Sequence, residues 1–432
     1  MNRTLLVLLL VLTSLSEAEE FKPLPSEEDW RGSDRALKDM RLGKDTSLSV
    51  GGSARVQFES YLNPSFGDDP SDSYLLTRLT LHSDLRIGRD FRFFADVHSA
   101  MQTGVNSPSP VDQDHLFLHQ VFLEQKFGEE LSLRAGRQEV TYGSGRLVSV
   151  REGPNIRRSF EGLRGTWSGD EERLDAFWFR PTTNLTGAFN NRWLDAPSWL
   201  AGAYYHRLGQ EYYIMRYQDA RASFQDATGI EERWTVGGRW FGTPEPWSYD
   251  FEAFYQFGTI GASDIRAWSI ASNTSYQVES WPGSPRFSLK ANVVSGDGAP
   301  DDDRLNTFNA MFPNGSYFGE IALLGPANLL NLHPGVTFEL TDTLELDTRA
   351  DFFWRFSLED GIYAPSGQLI RAGDSNDSRF IGIQPDITLT YRPSPSWELR
   401  LNHSVFFPGS FIADTGSDET VQFTQISVKY RF

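Results

Sequence analysis

Apolar and polar residues alternate one by one along most of this chain. Between residues 48 and 59, leucine, valine, alanine and phenylalanine fall on one face, and serine, arginine, glutamine and glutamate fall on the other. The same alternation flanks a loop within residues 131–167 that carries Arg146, Arg151 and Arg157. A period of two is typical of a β-strand with one apolar and one polar face. We therefore expect strands whose apolar side chains point one way and whose arginines point the other.

Eighteen segments carry this pattern. They are residues 48–59, 75–87, 91–101, 115–127, 131–140, 158–167, 172–181, 199–207, 211–218, 232–242, 247–258, 264–278, 285–295, 331–340, 343–356, 379–392, 396–407 and 420–432. Short and long linkers mostly alternate along the chain: residues 88–90 form a short linker, and residues 141–157 form a long one. Tight periplasmic turns and long external loops are typical of outer-membrane barrels. The sequence therefore predicts an all-β protein, a single transmembrane antiparallel β-barrel of 18 strands.

The first residues have the composition of an export signal. A positive residue, Arg3, precedes an apolar run over residues 5–12, and Ser16-Glu17-Ala18 fits a cleavage site. The prediction is a signal peptide over residues 1–18, a periplasmic lead-in over 19–46 and an outer-membrane barrel over 47–432. Lipid and lipopolysaccharide are the partners expected for its outer wall, and we expect a monomer.

Composition narrows the class of partner. The formal net charge is -18, which argues against binding to nucleic acid. There is no cysteine, so disulfides and thiolate metal sites are excluded. Lysine supplies only six of the 40 basic residues. Arginine suits planar recognition of carboxylate or phosphate, although a general preference for arginine over lysine would give the same count.

Alternation also predicts which charged residues line the pore. The basic candidates on strands are Arg55, Arg78, Arg134, Arg164, Arg239, Arg349, Arg355 and Arg400, and Arg146 is a further candidate in a loop. Arg137 is also a candidate, although its position in the alternation points it away from the lumen unless a bulge or the strand end turns it. The acidic candidates include Glu59, Asp96, Glu124 and Asp347. Such a mixed lining can select anions or can brace the barrel without any ligand. Arg134, Arg137, Arg146 and Arg164 are the best candidates for selectivity.

Catalytic and metal chemistry have little support. His115 and His119 would lie roughly 13 Å apart on a strand, too far to share one ion, and no serine nucleophile with an orienting group can be assigned. Asp297, Asp301 and Asp303 could bind Ca²⁺, because clustered carboxylates suit hard cations, but a solvated acidic loop is the preferred interpretation. We expect no cofactor and no enzymatic activity.

Several short motifs resemble the alginate export family of outer-membrane porins. They are Ser47 to Arg55 with Glu59, Arg134-Ala-Gly-Arg-Gln138 with Tyr142-Gly143 and Arg146-Leu147, Arg158-Ser-Phe-Glu-Gly162, and Phe308 to Pro313 with Gly319 and Gly325-Pro-Ala-Asn328. The resemblance implies an eighteen-stranded monomeric barrel that exports anionic polysaccharide. It also leaves room for a periplasmic secretion partner.

The mixed charge of the predicted lining departs from the strongly cationic lumen expected of an alginate exporter. We therefore expect a channel for an anionic or carbohydrate-like solute, either an anionic polysaccharide or a small anion. A general diffusion porin is the first alternative. An outer-membrane hydrolase resembling a phospholipase is the alternative from another class.

Overall fold

The computed structural model describes residues 21–299, 302–373 and 376–432. The signal peptide predicted over residues 1–18 lies outside these ranges. Within them, no helix is both long and apolar enough to cross a membrane. The regular structure is almost entirely β.

Eighteen long strands form one closed antiparallel sheet, as the alternation predicts. In chain order they are β1 Thr46–Leu62, β2 Asp72–Ile87, β3 Phe91–Thr103, β4 Asp114–Phe127, β5 Leu131–Gln138, β6 Phe160–Ser168, β7 Glu172–Pro181, β8 Ser198–Arg207, β9 Gln210–Ser223, β10 Thr228–Gly242, β11 Trp247–Ile260, β12 Ser263–Gln277, β13 Arg286–Val294, β14 Leu329–Thr341, β15 Leu344–Arg355, β16 Phe380–Ser394, β17 Trp397–Pro408 and β18 Val421–Arg431. Each strand pairs with the next, and β18 returns to pair with β1 from Ser53↔Arg431 to Leu62↔Gln422. The pairing therefore closes a barrel.

The remaining regular elements are short. Short strands at Met40–Gly43 and Arg304–Leu305 pair with the ends of β1 and β12. Ile362–Tyr363 and Leu369–Arg371 form a separate two-stranded sheet. Single turns of 3-10 helix occupy Pro25–Glu27, Pro64–Gly67 and Gly315–Phe318, and one α-helical segment spans Ser410–Thr415.

The outer wall is apolar, and aromatic residues collect near one rim. Leu79, Leu81 and other large apolar side chains of the strands are exposed on the outside. Trp167, Trp240 and Trp247 are exposed beside short turns. Membrane barrels carry aromatic girdles at the lipid–water boundaries, so these tryptophans lie where the periplasmic girdle is expected.

The hydrophobic core of the molecule lies inside the barrel. On β7 to β11, several inward-facing residues are apolar and buried, where a water-filled barrel would have polar ones. Together with loop residues they form one cluster, which includes Phe177, Phe179, Leu200, Tyr204, Tyr213, Met215, Tyr217 and Phe254. One side of the lumen is therefore a dry surface against which loops can pack.

Candidate functional site

Two long loops fold into the lumen and pair with each other. Residues 139–159, which follow β5, and residues 306–328, which precede β14, meet at Val148 and Phe312. The amide of Phe312 donates to the Leu147 carbonyl at 3.0 Å, and the amide of Ser149 donates to the Phe312 carbonyl at 2.9 Å. The Phe312 ring packs edge-on against Phe160 of the wall. This pair of loops fills the apolar side of the barrel.

Asn155 holds the tip of the first loop against the opposite, polar wall. Its side chain is fully buried, and its Nδ2 atom donates to the carbonyls of Thr77, Met101 and Asp112 at 3.0 to 3.3 Å. Arg55 reinforces the same contact by donating to the Asn155 side chain and to the carbonyl of Glu152. The loop therefore crosses the lumen and is fixed at both ends.

Glu152, at the tip of this loop, forms ion pairs with three cations. Its carboxylate lies 2.5 Å from Arg78 Nη2, 3.1 Å from Arg157 Nη1 and 3.2 Å from Lys429 Nζ. Enclosure in the lumen opposes ionisation, but the three cations outweigh it and hold the pKa of Glu152 well below its usual range. Glu152 lines cavities on both sides of the loop, so this cluster marks the constriction between them.

The external cavity has a volume of about 540 Å³, and two of the guanidinium groups that line it have no carboxylate partner among the described residues. Arg55 and Arg151 both face it, and in the described part of the chain neither has a carboxylate within 4 Å. The buried Nε atoms of both residues lack hydrogen-bond partners there. Tyr61 and Tyr74 add aromatic surface. This cavity thus offers donors to an anion and ring faces to a sugar.

The second cavity, which we call the periplasmic chamber, measures about 280 Å³ and lies on the other side of Glu152. The N-terminal segment closes it, because Phe21, Leu24 and Trp30 are buried in the barrel mouth. Arg157 Nη2 donates to the Pro23 carbonyl at 2.9 Å, which joins this segment to the constriction loop.

A third cavity of about 210 Å³ lies near the periplasmic rim. Arg164 lines it together with Arg173, Asp175 and Glu211. Arg173 is paired with Asp175 at 3.0 Å, whereas Arg164 has no carboxylate within 4 Å among the described residues. Arg164 is therefore another cation available to a solute.

Sequence comparison identifies the family. The alginate export family matches residues 46–424, which covers nearly the whole barrel. This chain belongs to the alginate export family. Comparison with curated proteins finds no match.

Solved structures similar to this member of the alginate export family are outer-membrane porins. Pseudomonas aeruginosa OccK2 (OpdF), solved in complex with glucuronate, is 14% identical with a TM-score of 0.59, over 89% of this chain and 98% of that chain. Pseudomonas aeruginosa OpdK, solved with vanillate, is 14% identical with a TM-score of 0.58 over the same shares. Acinetobacter baumannii OccAB4 is 10% identical with a TM-score of 0.61, over 90% and 99%. These likenesses show the fold, and with the family they indicate an outer-membrane channel for solutes.

The predicted lining residues of this alginate export family member fall into three groups. Arg55, Glu59 and Arg400 line the external cavity, Arg78 and Asp96 line the periplasmic chamber, and Arg164 lines the third cavity. In this first group Arg78 and Arg400 are paired with Glu152 and Glu320. A second group faces inward outside these cavities and is also ion-paired: Arg134 with Glu124, Arg239 with Glu211 and Asp250, and Arg349 with Asp347. The third group does not line the path.

Arg146 and Arg355 brace loops. Arg146 lies 2.6 Å from Glu252 and 3.0 Å from Asp250, and its Nε donates to the Tyr317 hydroxyl at 2.9 Å, so it fastens the two lumen loops to β11. Arg355 is fully buried and donates to the carbonyls of residues 358, 360, 373, 376 and 378. Expecting Arg355 to contact solute was wrong, because the donors of its guanidinium are already used. For Arg146 the same expectation stays a prediction.

Arg137 lies on the outer wall, so its assignment to the pore was also wrong. It pairs across the sheet with Glu161, which shares its face with the exposed Leu163. The guanidinium lies 2.5 Å from the Glu161 carboxylate and 4.2 Å from the Trp193 ring centroid. The loop after β7 folds over the outside and buries the pair. The regular parity of β5 is kept, and no bulge turns Arg137 inward.

The weak calcium candidate formed by Asp297, Asp301 and Asp303 gains no support among the described residues. Asp297 is buried and accepts hydrogen bonds from Gly298 and Asn306, whereas Asp303 is exposed. Asp301 lies outside the described residues. Within those residues, no group of three or more potential ligands is arranged to hold a metal.

Sequence reasoning missed the residues at the constriction. Arg151 and Glu152 belong to a loop, where strand parity gives no direction for a side chain. Lys429 has the inward parity of its strand and could have been found by the same rule as Arg55. Asp112 precedes β4, and only its contact with the folded loop brings it to the external cavity.

Proposed function

We propose that this protein is a channel for carboxylate-bearing saccharides and other small organic anions, an alginate-like polysaccharide included. The supporting observation is that two guanidinium groups at the external cavity, Arg55 and Arg151, have no carboxylate within 4 Å among the described residues; Arg55 donates only to neutral oxygens of the loop. A guanidinium can give a carboxylate two parallel hydrogen bonds. Glucuronate and vanillate, bound in the two porins of similar fold, both carry a carboxylate. The proposal includes export through a signal peptide over residues 1–18.

A general diffusion porin is the second candidate. Most inward-facing arginines are already neutralised by neighbouring carboxylates, such as Arg239 by Glu211 and Asp250. A lumen of that kind has a weak net field. The two candidates differ in whether the unpaired cations influence the permeating ion.

Reversal potentials in planar bilayers test this difference. The variant Arg55→Gln/Arg151→Gln is expected to lower the anion-to-cation permeability ratio by about twofold per residue, since one charge about 8 Å away in a water-like medium contributes about 0.5 kcal/mol. Oligouronates are expected to block the wild-type current and to block the variant less.

Arg349→Gln is the matched control, because it removes one inward guanidinium that is paired with Asp347 and lies away from the external cavity. It should leave the oligouronate block unchanged. Equal reversal potentials and no block in wild type and double variant would favour the diffusion porin and reject the proposal.

A further inference from the structure

The periplasmic chamber carries buried polar atoms that the described chain does not satisfy. His82, Asp96 and His98 line one wall and are 7%, 1% and 3% exposed. The Nδ1 atoms of both histidines and the Oδ1 atom of Asp96 have no hydrogen-bond partner among the described residues. Buried polar side chains are nearly always hydrogen-bonded in folded proteins. These atoms are themselves almost fully buried, but their side chains line one cavity wall, which indicates a site for a polar ligand.

The sheet brings these three side chains together. His82 on β2 is directly opposite Asp96 on β3, and His98 follows two residues later on the same inward face. The Nε2 atom of His98 lies 2.9 Å from Asp96 Oδ2, which orients both groups. The His82 ring stacks on Phe94 at 5.6 Å. The free atoms are thus held by rigid strands and not by a loop.

The chemistry of the wall matches hydroxyl groups. Each hydroxyl is at once a donor and an acceptor, an imidazole nitrogen can be either, and a carboxylate oxygen accepts. The Asp96 carboxylate would repel an anionic group placed against it, and the cations Arg78, Arg157 and Lys429 of the chamber lining are already paired with Glu152. Phe21 and Phe432 give the chamber apolar surface. Its volume of about 280 Å³ is close to the lower end, about 300 Å³, of small-molecule sites.

We propose that the periplasmic chamber binds the hydroxyl-bearing ring of a saccharide through His82, Asp96 and His98. The inference rests on the proposed function, because it assigns a second solute-binding subsite to the same permeation path. The external cavity holds the carboxylate of the solute, and the chamber holds its neutral hydroxyls. A solute passing the Glu152 constriction exchanges one set of contacts for the other.

Two probes separate these subsites in single-channel recordings. D-glucose carries hydroxyls without a carboxylate, and acetate carries a carboxylate without hydroxyls. Glucose is expected to block the wild-type current in a saturable way. Asp96→Asn and His82→Phe are each expected to raise the half-blocking glucose concentration at least about fivefold, because Asp96→Asn replaces a charged acceptor oxygen with an amide donor and His82→Phe removes both ring nitrogens. Neither variant should change the response to acetate.

Asp347→Asn is the matched control, since it makes the same charge change on the inner wall away from the chamber. It should leave the glucose block unchanged. The His82 variant keeps an aromatic ring against Phe94, so it carries the test if the Asp96 variant fails to assemble.

Absence of a saturable glucose block in wild type would overturn the inference. So would equal half-blocking concentrations in wild type and the two chamber variants, or an equal shift in the control. Failure of the proposed function looks different, because the response to acetate would then be insensitive to Arg55 and Arg151.

Discussion

Glu152 illustrates how one carboxylate joins three parts of the molecule. It binds Arg78 of the barrel wall, Lys429 of the last strand and Arg157 of its own loop. Asp112 contacts the same loop from the external side, and its pKa is shifted in the opposite direction. Enclosure in the lumen raises the pKa of Asp112, and the hydrogen bond from Asn155 and the charge of Arg151 offset this only in part. The two acids should therefore titrate in separate pH ranges.

We predict that anion preference rises as the pH falls from 7 toward the ordinary aspartate range, while the constriction keeps its size. Asp112 binds its proton at a higher pH than an ordinary aspartate, whose pKa is about 3.9, so the external cavity loses a negative charge first. Glu152 has a depressed pKa, so its contribution to loop docking is present above the ordinary glutamate value of about 4.3 and is lost only as the pH falls through the lower folded value. Reversal potentials and conductance across this pH range measure both effects.

Asp112→Asn is the control and should remove much of the pH-dependent rise in anion preference. A stepwise increase in conductance between pH 7 and 5 would contradict the account given for Glu152.

Single residues also show how far the sequence can predict the site. Parity placed Arg55, Arg78 and Asp96 on the inner wall, because strand geometry alternates side chains between two faces. It could not place Arg151 or Glu152, since a loop has no such rule. Parity also predicted an outward side chain for Arg137, and the regular pairing of its strand agrees with this direction.

At the scale of elements, the fold of the lumen depends on an apolar inner face. Strand β7 carries Phe177-Trp178-Phe179, with the tryptophan exposed outside and both phenylalanines buried inside. Apolar residues on both faces of a strand indicate that both faces are covered. That signal in β7 was available in the sequence, but the identity of the covering loops was not, because it depends on contacts between distant segments.

Phe312→Ala is predicted to release the two lumen loops and raise the single-channel conductance. The Phe312 ring is buried against Phe160 and Tyr217, and Arg158 lies over its face at 5.3 Å. Truncating a buried phenylalanine costs about 3–5 kcal/mol, which is enough to shift a docked loop toward an open state. Conductance and protease cleavage between residues 306 and 328 report the release.

Phe189→Ala serves as the comparison, because Phe189 is 60% exposed on the loop outside the barrel. It should leave both readouts at the wild-type level. Unchanged conductance in Phe312→Ala would show that other contacts suffice to hold the loops.

At the scale of the whole molecule, the N-terminal segment completes the channel. Arg431 lies over the Phe21 ring, Lys38 lies over the Trp30 ring, and Lys38 Nζ donates to the Phe432 carbonyl. These contacts hold residues 21–38 inside the periplasmic mouth. The lead-in predicted from composition over residues 19–46 carried no sign that it would enter the barrel.

Deletion of residues 21–36 is predicted to increase the conductance severalfold, because it opens the periplasmic end of the chamber. Replacing the same residues with a glycine–serine segment of equal length should have a similar effect, which separates loss of the apolar contacts from shortening of the chain. Wild-type conductance in both variants would show that ions pass beside this segment.

The seam between β1 and β18 joins residues that are more than 350 positions apart, whereas every other strand of the wall pairs with the one made just before it. Beyond the last partner of β18, the edge of β1 continues against Met40–Gly43. One edge of β1 therefore stays unpaired until the last of the seventeen further strands has been made. Such an edge invites pairing with other chains. The pairing with β18 therefore removes this exposed edge only when the last strand is in place.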